Sequence, residues 1–338
     1  MGLALTERYV RVIEFIKKGR NLELGRFGVR QIPTGAIREG YVNDKAAVVK
    51  VLRSLQKELG MEFVNATLPE EKAYLFKTEL PKEAEGNLRE AVELRLEENV
   101  PIAATDTIFD YIVIPGSGDG SRIDVSVAAL PSKVVDTYMD IIKSADLKPV
   151  SFGIEAATLS RALIPYGNLG TFMIVNIGGI RTDLSIVSCG VVQFSMTIPI
   201  GGDALTDGLQ KRFSVGDEEA RKIKEERGFV KSRENMELFF SLMNTISAIR
   251  DEINKLFIYW QTHKNQQGGV GGNVEKIILS GRDANLAGFD EYLSLTMKIP
   301  VEVGNVWQNA FSYDDFIPPI PLLDSFDYVT AIGLALPE

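Results

Sequence analysis

Cysteine and histidine are all but missing from this 338-residue sequence, with one of each. A lone Cys189 excludes an intrachain disulfide. Lying in an apolar hairpin, it reads as a small turn residue rather than a nucleophile. His263 falls in a polar, glycine-rich connection and reads as solvent-exposed. Zinc ligation and Cys/His or Ser/His/Asp catalysis therefore have almost no residues to draw on. No apolar run reaches the roughly 20 residues that span a bilayer, and no secretory leader pattern precedes the first strand. The expected location is cytoplasmic, with any membrane attachment supplied by something else. Positive charge is short as well: a net charge of −9 argues against nucleic-acid binding and against docking on anionic lipid by charge alone.

What is present is ordinary globular material, 45% hydrophobic and 25% charged, in a length that suits two domains or more. The most informative stretch is 171–188 (TFMIVNIGGIRTDLSIVS). Its first seven residues are apolar on both faces, which predicts a central strand. Gly178 and Gly179 break it, permitting a tight turn and the close approach of another group. A second strand follows, and Cys189-Gly190 turns it into a third over 191–198.

The same order appears at the start of the chain. Strands are predicted at 2–6, 9–15 and 22–31, with a basic turn at 17–21. A helix follows, opened by Asn43-Asp44 and ended by Gly60, and then a strand at 63–68. In the second half, three strands lead to a helix at about 203–212 and a strand at 276–280. The two halves look like a duplication. Between them, a helix over 81–98, strands at 109–114 and 124–129 joined by a loop at 116–121, and a helix over 131–145 make a small α+β insert. After a helix led by residues 154–157, the second half carries a charged helix at 214–228, a long helix at 234–261 and a flexible joint at 266–272. A helix at 285–293, an edge strand at 299–303 and a closing helix at 326–336 complete it.

This arrangement resembles the actin-like ATPase superfamily and, within it, the PilM family of type IV pilus assembly proteins. The residues that carry the likeness are 175–183 (VNIGGIRTD), 198–206 (IPIGGDALT), 218–224 (EEARKIK), 275–281 (EKIILSG), 285–293 (NLAGFDEYL) and 331–336 (AIGLAL). Residues 98–101 (ENVP) and 109–111 (FDY) resemble the family's middle subdomain. The cell-division protein FtsA is a cousin with a similar insert, but no amphipathic membrane helix is apparent after Leu336. The likeness implies an α/β fold of two actin-like lobes, each ribonuclease-H-like, with a small α+β insert. Residues 1–77 and 151–170 with helix 326–336 would form the first lobe and 78–150 the insert. Residues 171–325 would form the second lobe, with a helical subdomain at about 203–272.

In such folds two glycine corners cradle phosphates, and an acidic residue on each holds a hydrated Mg²⁺. By family position the nucleotide-binding candidates are Asn176, Gly178, Gly179, Thr182, Gly201, Gly202, Lys224, Ser280 and Gly281. Departures are concentrated among them. Ala4 and Thr6 stand where Asp and Gly are typical, and Asn176 where Asp is. Arg221 replaces a common glutamate, and Arg282-Asp283 follow Ser280-Gly281. Glu155 matches the region that positions the attacking water in related ATPases. ATP and Mg²⁺ are the cofactors implied, but phosphoryl transfer depends on metal-assisted neutralisation of charge. Loss of both carboxylates predicts weak or no hydrolysis, with no catalytic or metal-ligating residue assigned. Arg8, Arg181 or Arg282 could neutralise phosphates without a metal. The implied role is a scaffold at the cytoplasmic face of the inner membrane, where it captures the cytoplasmic tail of a PilN-like membrane protein at the insert. Motor ATPases and the platform protein are the further partners implied. The alternatives are an active ATPase or phosphotransferase on the same fold, an FtsA-like cytoskeletal protein, and a relative of type II secretion proteins.

Overall fold

Two five-stranded sheets of matching topology organise the computed structural model, which describes residues 1–19, 21–116, 121–263 and 272–337. In the first, β1 (Gly2–Leu5), β2 (Tyr9–Lys18) and β3 (Asn21–Gln31) form an antiparallel meander. A short ribbon, β4 (Ile37–Arg38) and β5 (Tyr41–Val42), leads to α1 (Lys45–Leu59). Asp44 caps this helix by accepting from the Ala47 amide, and Gly60 closes it at φ 59°. β6 (Phe63–Leu68) then returns parallel to β1.

β7 (Tyr74–Pro81), α2 (Leu88–Asn99), β8 (Thr107–Val113) and β9 (Arg122–Pro131) build a separate three-stranded sheet in the order β7-β9-β8. Val92 and Leu96 of α2 share a core with Leu80, Phe109, Val125 and Val127 of that sheet. α3 (Ser132–Ser144) and β10 (Lys148–Ile154) return to the first sheet, whose order becomes β10-β6-β1-β2-β3.

α4 (Glu155–Leu163) leads to the second meander, β11 (Thr171–Ile177), β12 (Thr182–Ser188) and β13 (Val191–Ile198). β11 and β12 are buried along their whole length, β11 as its largely apolar run requires and β12 with Thr182, Asp183, Ser185 and Ser188 buried among its apolar residues. Next come α5 (Gly202–Phe213), α6 (Asp217–Arg227) and α7 (Met236–His263). β14 (Lys276–Ser280), α8 (Phe289–Met297) and β15 (Val301–Val303) complete a sheet in the order β13-β12-β11-β14-β15. α9 (Leu322–Ser325) and α10 (Val329–Ala335) end the chain's secondary structure. Each sheet is thus an antiparallel meander extended from its first strand by two parallel strands, so the duplication holds at the level of topology.

α4 and α10 fill the space between the two sheets. Ala156, Leu159, Ala331 and Ile332 share a core with Ala4 and Ile13 of the first sheet and with Phe172, Ile174 and Ile278 of the second. The helices cross nearly backbone to backbone: a Cβ on Gly333 would lie 2.0 Å from the Thr158 carbonyl oxygen.

Several expectations need correction. The unit expected at 78–150 is cut differently. β7 is a strand the sequence reading missed, because only Leu80 in it is deeply buried and its alternation is weak. The helix expected from residue 81 starts at Leu88, after a 3₁₀ turn. α3 packs its stripe of Val134, Val135, Tyr138, Ile141 and Ile142 with Leu52 and Leu55, in the first lobe's own core. No strand was expected at β10, where Pro149 and Gly153 interrupt the apolar pattern. It is an edge strand bulged between Pro149 and Ser151, where a missing N–H is tolerated. His263 ends α7 and stacks on Tyr259 at 4.4 Å, exposed as expected but on a helix. Cys189 lies in the β12–β13 turn at φ 54°. Arg20 of the basic turn, residues 117–120 of the expected loop and 266–271 of the expected joint lie outside the described residues. Among the described residues no helix is long and apolar enough to cross a membrane.

Candidate functional site

The two sheets bring their first corners face to face. Thr6, Glu7 and Arg8 between β1 and β2 look across a cleft of about 700 Å³ at Gly178, Gly179 and Arg181 between β11 and β12. The Thr6 side chain shapes its corner by donating to the Tyr9 carbonyl at 3.0 Å and accepting from the Tyr9 amide at 3.1 Å. Phe27, Val29, Ile320 and Tyr328 supply an apolar wall.

Of the nine residues that the sequence proposed, Asn176, Gly178, Gly179 and Gly281 line this cleft; the other five lie behind its wall. Thr182 is fully buried and donates to the Ile200 carbonyl at 2.7 Å. Gly201 packs where a Cβ would come within 2.6 Å of the Gly178 carbonyl and the Arg181 amide. Gly281, at φ 82°, seals the end of β11, since a Cβ there would sit 2.2 Å from the Ile177 carbonyl. Ser280 is buried, and its hydroxyl has no hydrogen-bond partner among the described residues. The Lys224 ammonium is buried too, donating to the Gly202 carbonyl at 3.2 Å and to Thr206 Oγ1 at 3.1 Å. It pairs with Asp283 Oδ1 at 2.5 Å. Asp283 lies against Gly202 so closely that a Cβ there would overlap its carboxylate at 1.5 Å.

The amides at the start of α5 are used by the corner itself. Gly202 N–H donates to the Gly178 carbonyl, Asp203 N–H to the Gly179 carbonyl, and Ala204 N–H to the Gly201 carbonyl. These are groups a helix N-terminus could otherwise offer to an anion.

Arginines and carboxylates pair throughout. Arg8 of the first lobe meets Asp203 Oδ2 of the second at 2.6 Å, and Arg221 reaches Asp203 Oδ1 at 3.2 Å and Asp217 at 2.8 Å. Arg282 pairs with Glu225, Asp324 and Asp327, and Arg11 with Asp327. The densest cluster surrounds Arg181, which meets Glu71 at 2.8 Å, Glu155 at 3.3 Å and Asp183 at 3.5 Å. Glu155 also accepts from Thr330 Oγ1 at 3.2 Å and Asn176 Nδ2 at 3.4 Å. Glu70 ties the lobes from behind, accepting from Ser195 Oγ at 2.6 Å and the Ala156 amide at 3.1 Å.

Burial decides how these groups titrate. Asp183 is pushed up to about 8, first by desolvation and then by Glu155, against the pull of Arg181 and a 2.7 Å hydrogen bond from Thr197. Desolvation likewise raises Glu70, against its bonds from Ser195 and Ala156. Burial weakens the charge of Arg181, yet Asp183, Glu155 and Glu71 outweigh it and hold its pKa above the ordinary value. In all, five arginines and eight carboxylates line the cleft, so negative charge is in surplus. Among the described residues no cluster of three or more His, Cys, Asp or Glu side chains is arranged to hold a metal ion.

The sequence reading missed Glu70 and Glu71, whose only signal is an acidic pair after Pro69. It also missed the use of Asp203 and Asp283 as partners for cations. Arg8, Arg181 and Arg282, considered there as phosphate partners, each already meet a carboxylate of the chain.

Compared with known proteins, residues 2–338 match the family model described as type IV pilus assembly protein PilM. The chain is similar to a solved PilM-PilN type IV pilus biogenesis complex at 20% identity and TM-score 0.79, covering 99% of this chain and 97% of that one. It is similar to ethanolamine utilization protein EutJ from Carboxydothermus hydrogenoformans at 17% identity and TM-score 0.54, covering 99% and 88%. MreB5 of Spiroplasma citri, solved bound to ADP, matches at 14% identity and TM-score 0.53, covering 91% and 92%. At these identities the likeness shows the fold, a two-lobed actin-like one with an inserted sheet.

Proposed function

The chain belongs to the family of type IV pilus assembly protein PilM, and from that membership we propose that it is a scaffold of the pilus assembly platform. In this reading it works in the cytoplasm, against the inner membrane, and binds the cytoplasmic N-terminal tail of a PilN-like membrane protein. It links that protein to the motor ATPases and the platform protein. The observation that carries the reading is the match of family and fold over essentially the whole chain.

The inserted sheet is the receptor proposed for the tail. Among the described strands β8 pairs with β9 alone, which leaves one edge of β8 open. Ile108 and Ile112, 43% and 57% exposed, stand two pleats apart on one face of it. An extended tail added there would gain main-chain hydrogen bonds from the edge and side-chain contact from the two isoleucines. The interlobe cleft is read as a degenerate nucleotide site with weak or no hydrolysis. Ala4 and Asn176 supply no charge to a metal, and Glu155 is engaged by Asn176, Arg181 and Thr330. An active ATPase would require the opposite.

Calorimetric titration with a peptide of a PilN-like protein's N-terminal tail tests this. Saturable binding in the absence of nucleotide is expected. No binding with or without Mg²⁺·ATP would overturn the scaffold reading.

A further inference from the structure

An actin-like cleft implies a nucleotide with Mg²⁺, and the residues of this one do not fit them. A nucleoside triphosphate brings about four negative charges, which a metal or a surplus of cations must offset. This cleft has a surplus of carboxylates, and each of its five arginines meets a carboxylate of the chain. The first amides of α5 are consumed by the glycine corner. The hollow at Gly202, which a Cβ would fill, already holds the carboxylate of Asp283, paired with Lys224. The hollow at Gly179 faces the Arg8–Asp203 pair, whose nearest atoms lie 3.6 Å from where a Cβ would be.

We propose that the chain is its own ligand at this cleft: Arg181 serves as the internal cation, Asp283 as the internal anion, and the Arg8–Asp203 pair closes the two lobes across the mouth with neither nucleotide nor divalent metal. The lobes are tied at three points by side chains that come from opposite sides. Arg8 reaches Asp203, Arg181 reaches Glu71 and Glu155, and Ser195 reaches Glu70. Closure is therefore built into the sequence. This deepens the scaffold reading by making the partner-binding shape constitutive rather than nucleotide-driven.

The test uses the full chain in thermal unfolding and small-angle scattering, with no addition, with millimolar Mg²⁺·ATP, with ATP in EDTA, and with Mg²⁺·ADP. The expected result is one melting temperature and one radius of gyration in all four. A rise in melting temperature or a contraction with any nucleotide would overturn the proposal, because a ligand that binds only the folded state must stabilise it. Arg181→Met should lower the melting temperature and expand the particle. Should that variant not fold, a double-mutant cycle of Arg8→Ala and Asp203→Asn reads the lock on a half-exposed pair. A coupling of roughly two- to five-fold in the unfolding equilibrium is expected, and zero coupling would count against closure by this pair. Tail binding is not a readout in any arm, so a chain that ignores nucleotide yet fails to bind the tail would sink the scaffold reading alone.

Discussion

Lys224 and Asp283 meet at 2.5 Å with their side chains only 4% and 11% exposed. A buried pair of this kind contributes little over an apolar isostere, but losing one partner strands a charge. Lys224→Met is expected to destabilise the protein by about 3–5 kcal/mol. Lys224→Met with Asp283→Asn should recover a substantial part of that. Urea unfolding of the two variants checks it; equal losses would show that the pair does not act as a unit.

Asp183 gives the cleft a pH signature. Its folded-state pKa of about 8 lies above its ordinary value of 3.8, so the folded protein holds a proton there that the unfolded chain has released. Stability therefore falls as pH rises from about 4 to 8 and levels off above that, by at most about 1.4 kcal/mol per pH unit from this group. Glu70, also raised, acts in the same direction. Asp183→Asn keeps an acceptor for Thr197 and removes one titration, so its urea midpoint should change less between pH 5 and pH 8 than the parent's. An unchanged slope would place the proton elsewhere.

Asn176→Asp restores the residue type typical of the superfamily, at a place this chain has rebuilt. The Asn176 amide donates to Glu155, and an aspartate would set like charges together on a buried site. A loss of about 1–3 kcal/mol at pH 8 is expected, with partial recovery at pH 5, where a proton can be shared. Thermal melts at the two pH values decide it.

Ile112 stands on one face of the edge strand β8 and is 57% exposed. Ile112→Lys should leave unfolding free energy within about 0.5 kcal/mol of the parent while weakening capture of the partner's tail by tenfold or more, read by calorimetry. Full-strength binding by this variant would move the receptor off β8.

How far the residues announced this structure depends on how local each signal is. The β11–β12 corner was legible because seven buried positions and two glycines follow one another in sequence. The capped helix α1 was legible for the same reason. α3 carried a clear apolar stripe, but a stripe does not say which core it enters, and Leu52 and Leu55 wait about 80 residues upstream. The cage around Arg181 was illegible beyond its near neighbour Asp183: Glu71 and Glu155 come from a 3₁₀ turn and a helix start, and only the closed fold brings them to it. Lys224 was recognisable by position, but its burial behind α5 was not.

The crossing of α10 over β1 fixes the order in which the molecule can be made. A Cβ on Gly2 would lie 2.1 Å from the Ala331 carbonyl, so β1 is seated directly on α10, a helix synthesised after every strand of both sheets. The second sheet has all its strands once residue 303 has emerged from the ribosome. The first sheet has its strands much earlier, but the part of its inner face that α10 covers stays open until 329–335 arrive. The older lobe is thus finished last, and for most of synthesis the nascent chain exposes an apolar face that a chaperone would be expected to cover.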